Sequence, residues 1–288
     1  MIFVKLNQER FYVVGEMRQH RLLTLLSDFG LSDVYVGVMK GAIAQINCSV
    51  TVVDLTHQIP PQNIAAARFC LMNAYPYFPA GTVHVAVVDP GVGSTRRAVA
   101  VELTDGFLVG PDNGIFSGVL SRDAMPEGGL QPKLLTSVEL TNPHYWRTPD
   151  TSATFHGRDI FAPVGAHLAS GVPLKNLGLE IDPATLVELA IPEWTQTDTS
   201  LAGCIQYVDH FGNLITNIPG SYVEGKTWLA MAAGLNIPGG QTYTCSRAGS
   251  PIALIGSHGW VEIAVNGGNA QSQLQLDWGA RVEVISQP

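Results

Sequence analysis

An α/β domain with a mostly parallel sheet, followed by a smaller C-terminal β barrel, is the fold this sequence predicts. Three observations carry it. Between 22 and 88, short apolar runs alternate with polar turns and helical periods, the signature of successive βα units on a parallel sheet. A polar, Pro-containing stretch at 191–200 marks a change of character. Beyond it, short strand-like runs separated by Gly and Asn turns suit a small barrel or sandwich of roughly 90 residues. The expected domains are an N-terminal extension at 1–20, the α/β domain at 21–185 and the β-barrel domain at 198–288.

The elements follow in order. A buried strand over 22–26 runs into a polar loop at 27–32 and a helix over 33–46. The second unit is a strand over 50–55 and a helix over 63–75, and the third begins with a strand over 82–88. Runs at 98–103 and 107–109 flank Asp105-Gly106, a hairpin signal. Pro111-Asp112-Asn113-Gly114 turns into a short helix over 115–120, and a helix over 158–170 is ended by Gly171. Past the linker, strands are expected over 203–208, 213–218, 228–232, 251–255, 261–265 and 281–285.

The bulk numbers bound the function. With 288 residues and 46% hydrophobic content the chain fills one large or two ordinary cores. Its 24 acidic residues against 16 basic, net charge -8, and the lack of a basic run with interleaved aromatics exclude a broad nucleic-acid face. Cys48, Cys70, Cys204 and Cys245 are scattered without a CxxC pair, which reads as reduced thiols and not a disulfide frame or zinc site. No apolar stretch reaches the roughly 18 to 20 residues of a membrane span. The first twenty residues mix Lys5, Glu9, Arg10, Glu16 and Arg18 with short apolar patches and lack a signal-peptide core. A cytoplasmic enzyme is the expectation, with Met17 an alternative start.

The chemistry concentrates at strand ends. Asp89-Pro90-Gly91-Val92-Gly93-Ser94-Thr95-Arg96-Arg97 closes the third strand, where open α/β sheets bind ligands, and joins a carboxylate to fixed positive charge across a flexible turn. With Phe155-His156-Gly157-Arg158-Asp159 it yields the set Asp89, Arg96 and His156, Arg97 being a structural or surface charge. His156 read alone is more often a core or capping group, and Arg158 with Asp159 the start of a helix. Gly91-Val92-Gly93 is a turn needing glycine more than a phosphate cradle, since one GxG lacks the rest of that motif. In Ser27-Asp28-Phe29-Gly30-Leu31-Ser32-Asp33, the two carboxylates suit a ribose diol and an ammonium group, or else a turn and a helix N-terminus. The DFG triplet there has no kinase context. Asp28, Asp54, His57 and Asp89 would have to converge from three strand ends to hold a metal, and no HxH, DxD or HExxH spacing supports that. In Asp209-His210-Phe211-Gly212-Asn213 and Gly256-Ser257-His258-Gly259, the residues are either turn chemistry or a base stack on Phe211, a base edge on Asn213 and an amino-acid head group at Asp209 and Ser257.

Together Ser27-Asp28-Phe29-Gly30, His57-Gln58-Ile59-Pro60-Pro61, Asp89-Pro90-Gly91-Val92-Gly93, Pro111-Asp112-Asn113-Gly114, Phe155-His156-Gly157-Arg158-Asp159 and Asp209-His210-Phe211-Gly212-Asn213 resemble one family. It is the S-adenosyl-L-methionine hydroxide adenosyltransferases, relatives of the fluorinase and chlorinase enzymes, and the resemblance runs over 22–285. It implies hydrolysis of S-adenosyl-L-methionine to adenosine and L-methionine without a cofactor or metal. It also implies a homotrimer with active sites where one subunit's N-terminal domain meets a neighbour's barrel. By motif, Asp89, Arg96 and His156 resemble the water-activating set and Asp28 the ribose ligand. Asp33, Asp209 and Ser257 resemble methionine-end contacts; Phe211, Asn213 and backbone near Gly267 resemble adenine contacts. Halogenating relatives have an aromatic residue where Asp89 stands, a tryptophan-like wall at Gln62 and a tyrosine at His156. His258 replaces an arginine and Tyr35 a serine of the fluorinase. The alternatives implied are a halogenase or a non-catalytic sensor of the same ligand.

Overall fold

The computed structural model describes residues 2–3, 13–14, 22–121, 132–197 and 199–287. Most of the expected extension at 1–20 lies outside them. Within it β1 (Ile2–Phe3) and β2 (Val13–Val14) pair only with each other.

The α/β half is built from β3 (Leu22–Ser27), α1 (Tyr35–Ile46), β4 (Thr51–Thr56), α2 (Ile64–Ala74), β5 (Thr82–Val87), β6 (Ala98–Leu103), β7 (Gly106–Pro111), α3 (Ser117–Leu120), β8 (Leu134–Glu139), α4 (Ala162–Ala169) and β9 (Leu179–Ile181). The sheet order is β4-β3-β5-β7-β6-β8-β9. The first four strands are mutually parallel, and β6 and β9 run against the rest. Helices cover both faces, so β5 is buried at every residue, which is why it reads as an unbroken apolar run. Val83, Val85 and Val87 face the core under α1 and α4, while Ala86 and Val88 face that under α2 and α3. Helix α1 buries Val36, Met39, Ala42 and Ile43, the stripe its sequence period requires.

Two predicted helices differ in detail. Helix α1 starts at Tyr35 behind Val34, with no side-chain cap, so Asp33 sits in the preceding bend and does not cap it. The helix expected over 158–170 begins instead as a π turn, Gly157–Phe161, before α4. Pro163 explains this: it has no N–H for the Asp159 carbonyl, and Ala162 N bonds the Gly157 carbonyl five residues back. Strands β8 and β9 were not legible in the sequence. Leu135 and Leu179 are exposed, 53% and 66%, so neither segment carries a clean buried period.

The C-terminal half holds β10 (Thr195–Gln196), β11 (Ser200–Val208), β12 (Leu214–Pro219), β13 (Thr227–Ala232), β14 (Leu235–Pro238), β15 (Pro251–Ile255), β16 (Trp260–Val265), α5 (Ala270–Leu274) and β17 (Arg281–Gln287). Its antiparallel order is β14-β13-β17-β11-β12-β16-β15, with β10 added on β11. The outer strands approach each other where Gly240 N donates to Ala253 O at 2.9 Å, so the sheet is a nearly closed barrel. The polar stretch before it is docked: Asn217 Nδ2 donates to Pro192 O at 2.7 Å and Trp194 meets Tyr222. The halves share packing. Phe69 of α2 stacks on Tyr207 of β11 at 4.5 Å between ring centroids, and Ile215 and Trp260 complete the α2-side core. No helix among the described residues is long and apolar enough to cross a membrane.

Candidate active site

Strands β3 and β5 are parallel neighbours in register, Ser27 beside Val87, so Asp28 and Asp89 leave the sheet at adjacent carboxyl ends. Ligand chemistry in open α/β sheets belongs at this edge. The loop after Asp89 turns back at once: Val92 N donates to Asp89 O and Ser94 N to Gly91 O. Gly93, at φ 76°, lies so close to the Ala153 carbonyl that a Cβ there would collide with it. The glycine therefore serves a turn and a close loop crossing, and the turn delivers Arg96 onto Asp89.

Arg96 bridges the other two members of the set. Its Nε donates to Asp89 Oδ1 at 2.9 Å, its Nη2 to Asp89 Oδ2, and the same Nη2 lies 2.9 Å from His156 Nδ1. The guanidinium also sits over the Phe161 ring at 5.2 Å. The side chains of Asp89 and Arg96 are only 5% and 11% exposed, so these contacts are little screened by water. Burial, then the Arg96 charge, lowers the His156 pKa from 6.5 against the opposing pull of Asp89 and Asp159. His156 is therefore neutral at pH 7. Because guanidinium nitrogens only donate, Nδ1 must be the acceptor, and the imidazole carries its proton on Nε2. The second arginine behaves otherwise. Arg97 donates to Asp112 through Nε at 2.9 Å and to Thr185, a structural tie across the sheet edge.

Asp28 is held by backbone. Its Oδ2 accepts from Gln62 N at 2.7 Å, and Gln62 adopts φ 64°, a left-handed conformation that aims this N–H at the carboxylate. Beneath it, Ser27 Oγ bonds His57 Nδ1 at 2.7 Å, His57 Nε2 lies 3.1 Å from Asp54, and Gly30 N donates to the His57 carbonyl. Ser27, fully buried, His57 and Asp54 thus fix the loop that carries Asp28. Asp33 is exposed on the same loop. Phe155 packs edge to face on Phe29 and on Tyr35, the latter at 5.3 Å, and Phe29 and Tyr35 are tilted to each other, between the Asp28 and His156 loops.

The remaining predicted residues are on the barrel. Asp209 accepts from Phe211 N, Asn213 N and Asn213 Nδ2, the turn chemistry of this motif. Phe211 is 71% exposed, and Ser257 and Gly267 are also exposed. His258 turns inward: Nδ1 accepts from Trp260 N, and Nε2 lies 3.2 Å from the buried carboxylate of Glu262, which also accepts from Tyr243 OH. The chain brings Asp89, Arg96 and His156 into contact, with Asp28 following the neighbouring strand end. Asp209, Phe211, Asn213 and Ser257 make no hydrogen bond to that set. Asp209 and His210 instead border a cleft of about 650 Å³ with Leu55, Gln58, Phe69 and Tyr77. Sequence reasoning missed Glu262 and the partners of Asp159, because a carboxylate within a strand and an arginine twelve positions upstream carry no motif. Among the described residues no group of three or more His, Cys, Asp or Glu side chains is placed to hold a metal ion.

Comparison with known proteins agrees with this architecture. Residues 23–178 match the model of the SAM hydroxide adenosyltransferase N-terminal domain, and 203–283 that of the C-terminal domain. The chain is 40% identical to an (R)-S-adenosyl-L-methionine hydrolase of Thermus thermophilus, over 92% of this chain and all of that one. It is 39% identical to one of Salinispora tropica, over 92% and 97%. A fluorinase of Actinopolyspora mzabensis is more distant, 26% identical over 91% and 96%. Among solved structures, a conserved protein from Thermotoga maritima superposes with a TM-score of 0.82 and 31% identity, over 91% of this chain and 99% of its own.

Proposed function

The chain belongs to the SAM hydroxide adenosyltransferase family, and from that membership we infer that it is an S-adenosyl-L-methionine hydrolase releasing adenosine and L-methionine. The observation that supports the site assignment is Arg96 bridging Asp89 and His156 at the sheet edge. In the reaction a water oxygen attacks the ribose C5′ as the C5′–S bond breaks. The bonding pair goes to sulfur, turning a sulfonium into the neutral thioether of methionine, so the leaving group needs no acid.

The difficulty is the nucleophile. Forming free hydroxide from water at neutral pH costs on the order of 12 kcal/mol, at about 1.36 kcal/mol per pKa unit. One guanidinium about 4 Å away returns roughly 4 kcal/mol at an effective dielectric near 20. Arg96 therefore cannot hold a standing hydroxide, and deprotonation accompanies attack. His156 has Nδ1 engaged by Arg96 and its proton on Nε2, so it orients the water by donating. This leaves Asp89 as the proton acceptor of the set, while Arg96 balances the charge. Asp28 suits the ribose hydroxyls, its carboxylate being held in place through Oδ2 by Gln62 N. No cofactor enters this scheme.

We further propose a homotrimer in which a neighbour's barrel completes each site. Supporting it, Leu31, Val34 and Tyr35 leave apolar surface exposed beside Asp28, and Phe211 and Trp278 do so on the barrel. Asp33, Asp209 and Ser257 then serve the methionine end, and Phe211, Asn213 and backbone near Gly267 the adenine. The exposed free thiols Cys48 and Cys245 fit a reducing, cytoplasmic setting. The deciding experiment is turnover of S-adenosyl-L-methionine in oxygen-18 water, with chloride or fluoride present. Label in the adenosine 5′-hydroxyl is expected; 5′-halo-5′-deoxyadenosine, or binding without turnover, would overturn the reading.

A further inference from the structure

We propose that Asp159 is a positioning residue for the hydrolysis, holding His156 against Arg96 and clamping the 147–155 loop onto the loop that carries Asp89 and Arg96. The proposal rests on the role given to His156 above. Asp159 is fully buried, and its carboxylate is surrounded by donors. Arg147 Nε and Arg158 Nε reach Oδ1 at 2.6 and 2.7 Å, and Arg158 Nη2 and Ser152 N reach Oδ2, each at 2.8 Å. The backbone of the same residue is used as well. Pro163 cannot donate to the Asp159 carbonyl, which takes Arg147 N at 2.9 Å instead. Loop 147–155 is thus tied at Arg147 and Ser152, and the Ala153 carbonyl then rests on Gly93.

This arrangement exceeds what a helix start needs. Two arginines and a backbone amide converge on one carboxylate three residues after His156, on the π turn that begins directly behind it. Arg158 also lies over the Phe155 ring at 5.2 Å, extending the clamp to the aromatic packing around the Asp28 loop. An asparagine in place of Asp159 has one oxygen and one NH2, so it must oppose a donor to a donor. One arm then detaches, and His156 moves relative to Arg96.

The test compares kcat and KM for S-adenosyl-L-methionine in Asp159→Asn, and the imidazole nitrogen-15 spectrum, with His156 assigned against a His156→Gln control. The expected outcome is a kcat loss of roughly tenfold or more, since misplacement by about 1 Å can cost a hundredfold. KM should stay within roughly threefold, and His156 should lose its single Nε2–H tautomer pattern. If Asp159→Asn does not fold, Arg147→Ala decides, because that side chain is 40% exposed and leaves the Arg158 pair in place. It should lower kcat roughly threefold at unchanged KM and Tm. A folded variant of either kind with kcat within roughly twofold of wild type, or with the loss in KM alone, overturns the proposal. Wild-type protein that does not turn over S-adenosyl-L-methionine would instead refute the functional reading, while the nitrogen-15 pattern would still report on the clamp.

Discussion

Arg96→Lys separates the charge of this side chain from its shape. The guanidinium uses its planar fork on two partners at once, Nε and Nη2 on the Asp89 carboxylate and Nη2 on His156 Nδ1. An ammonium keeps the unit charge but cannot hold both partners at once in that geometry. If it stays on Asp89, His156 Nδ1 loses its donor, the tautomer is no longer fixed, and the imidazole is free to turn. A lost hydrogen bond to a charged group is worth about 1.5–3 kcal/mol. Expressed in the transition state, the upper figure lowers kcat by roughly two orders of magnitude, at about 1.36 kcal/mol per decade. Steady-state release of adenosine at saturating substrate, followed by chromatography, measures this directly. A kcat within roughly threefold of wild type would refute the argument, because charge alone would then suffice and the bridging geometry would be incidental.

Three other outcomes are expected. Burial lowers His84 from 6.5 to about 4, so as pH falls through 6.5 the unfolded chain takes up a proton that the folded chain refuses. Stability present above pH 6.5 is thus lost on acidification, on the order of 3 kcal/mol by pH 4; urea titrations of His84→Leu should show a shallower pH slope, and an unchanged slope would sink the assignment. Co-expressed Asp89→Asn and Phe211→Asp subunits, each inactive alone, should regain about one quarter of wild-type activity if sites form between subunits of a randomly mixed trimer, whereas sites within one chain predict none. Prolonged chelation should leave turnover unchanged, and a loss restored by a divalent cation would place a metal in the mechanism.

Much of the site was legible because its residues follow strand ends, where short motifs and local turn chemistry coincide. Asp89 and Arg96 meet across a turn of seven residues, and the βα alternation already placed Asp28 and Asp89 at one sheet edge. The helix expected over 158–170 failed at its start because Pro163, inside the segment, has no N–H for the Asp159 carbonyl, which Arg147 N takes instead. Strands β8 and β9 escaped for another reason: β8 is placed by pairing with β6 and β9 by pairing with β8, not by their own half-exposed patterns.

By itself the sequence determined the fold class, the order of the βα units, the barrel that follows them and the chemical identity of the site residues, since apolar period and turn composition are local properties. Only the tertiary structure decided how those residues are used. That Arg96 donates to His156 Nδ1, that Gln62 turns left-handed to hold Asp28, and that Asp159 gathers Arg147, Arg158 and Ser152 are facts of direction and distance between segments far apart in the chain. Proton positions and carboxylate pairing follow from that packing, because burial strengthens some electrostatic partners and removes water from the rest.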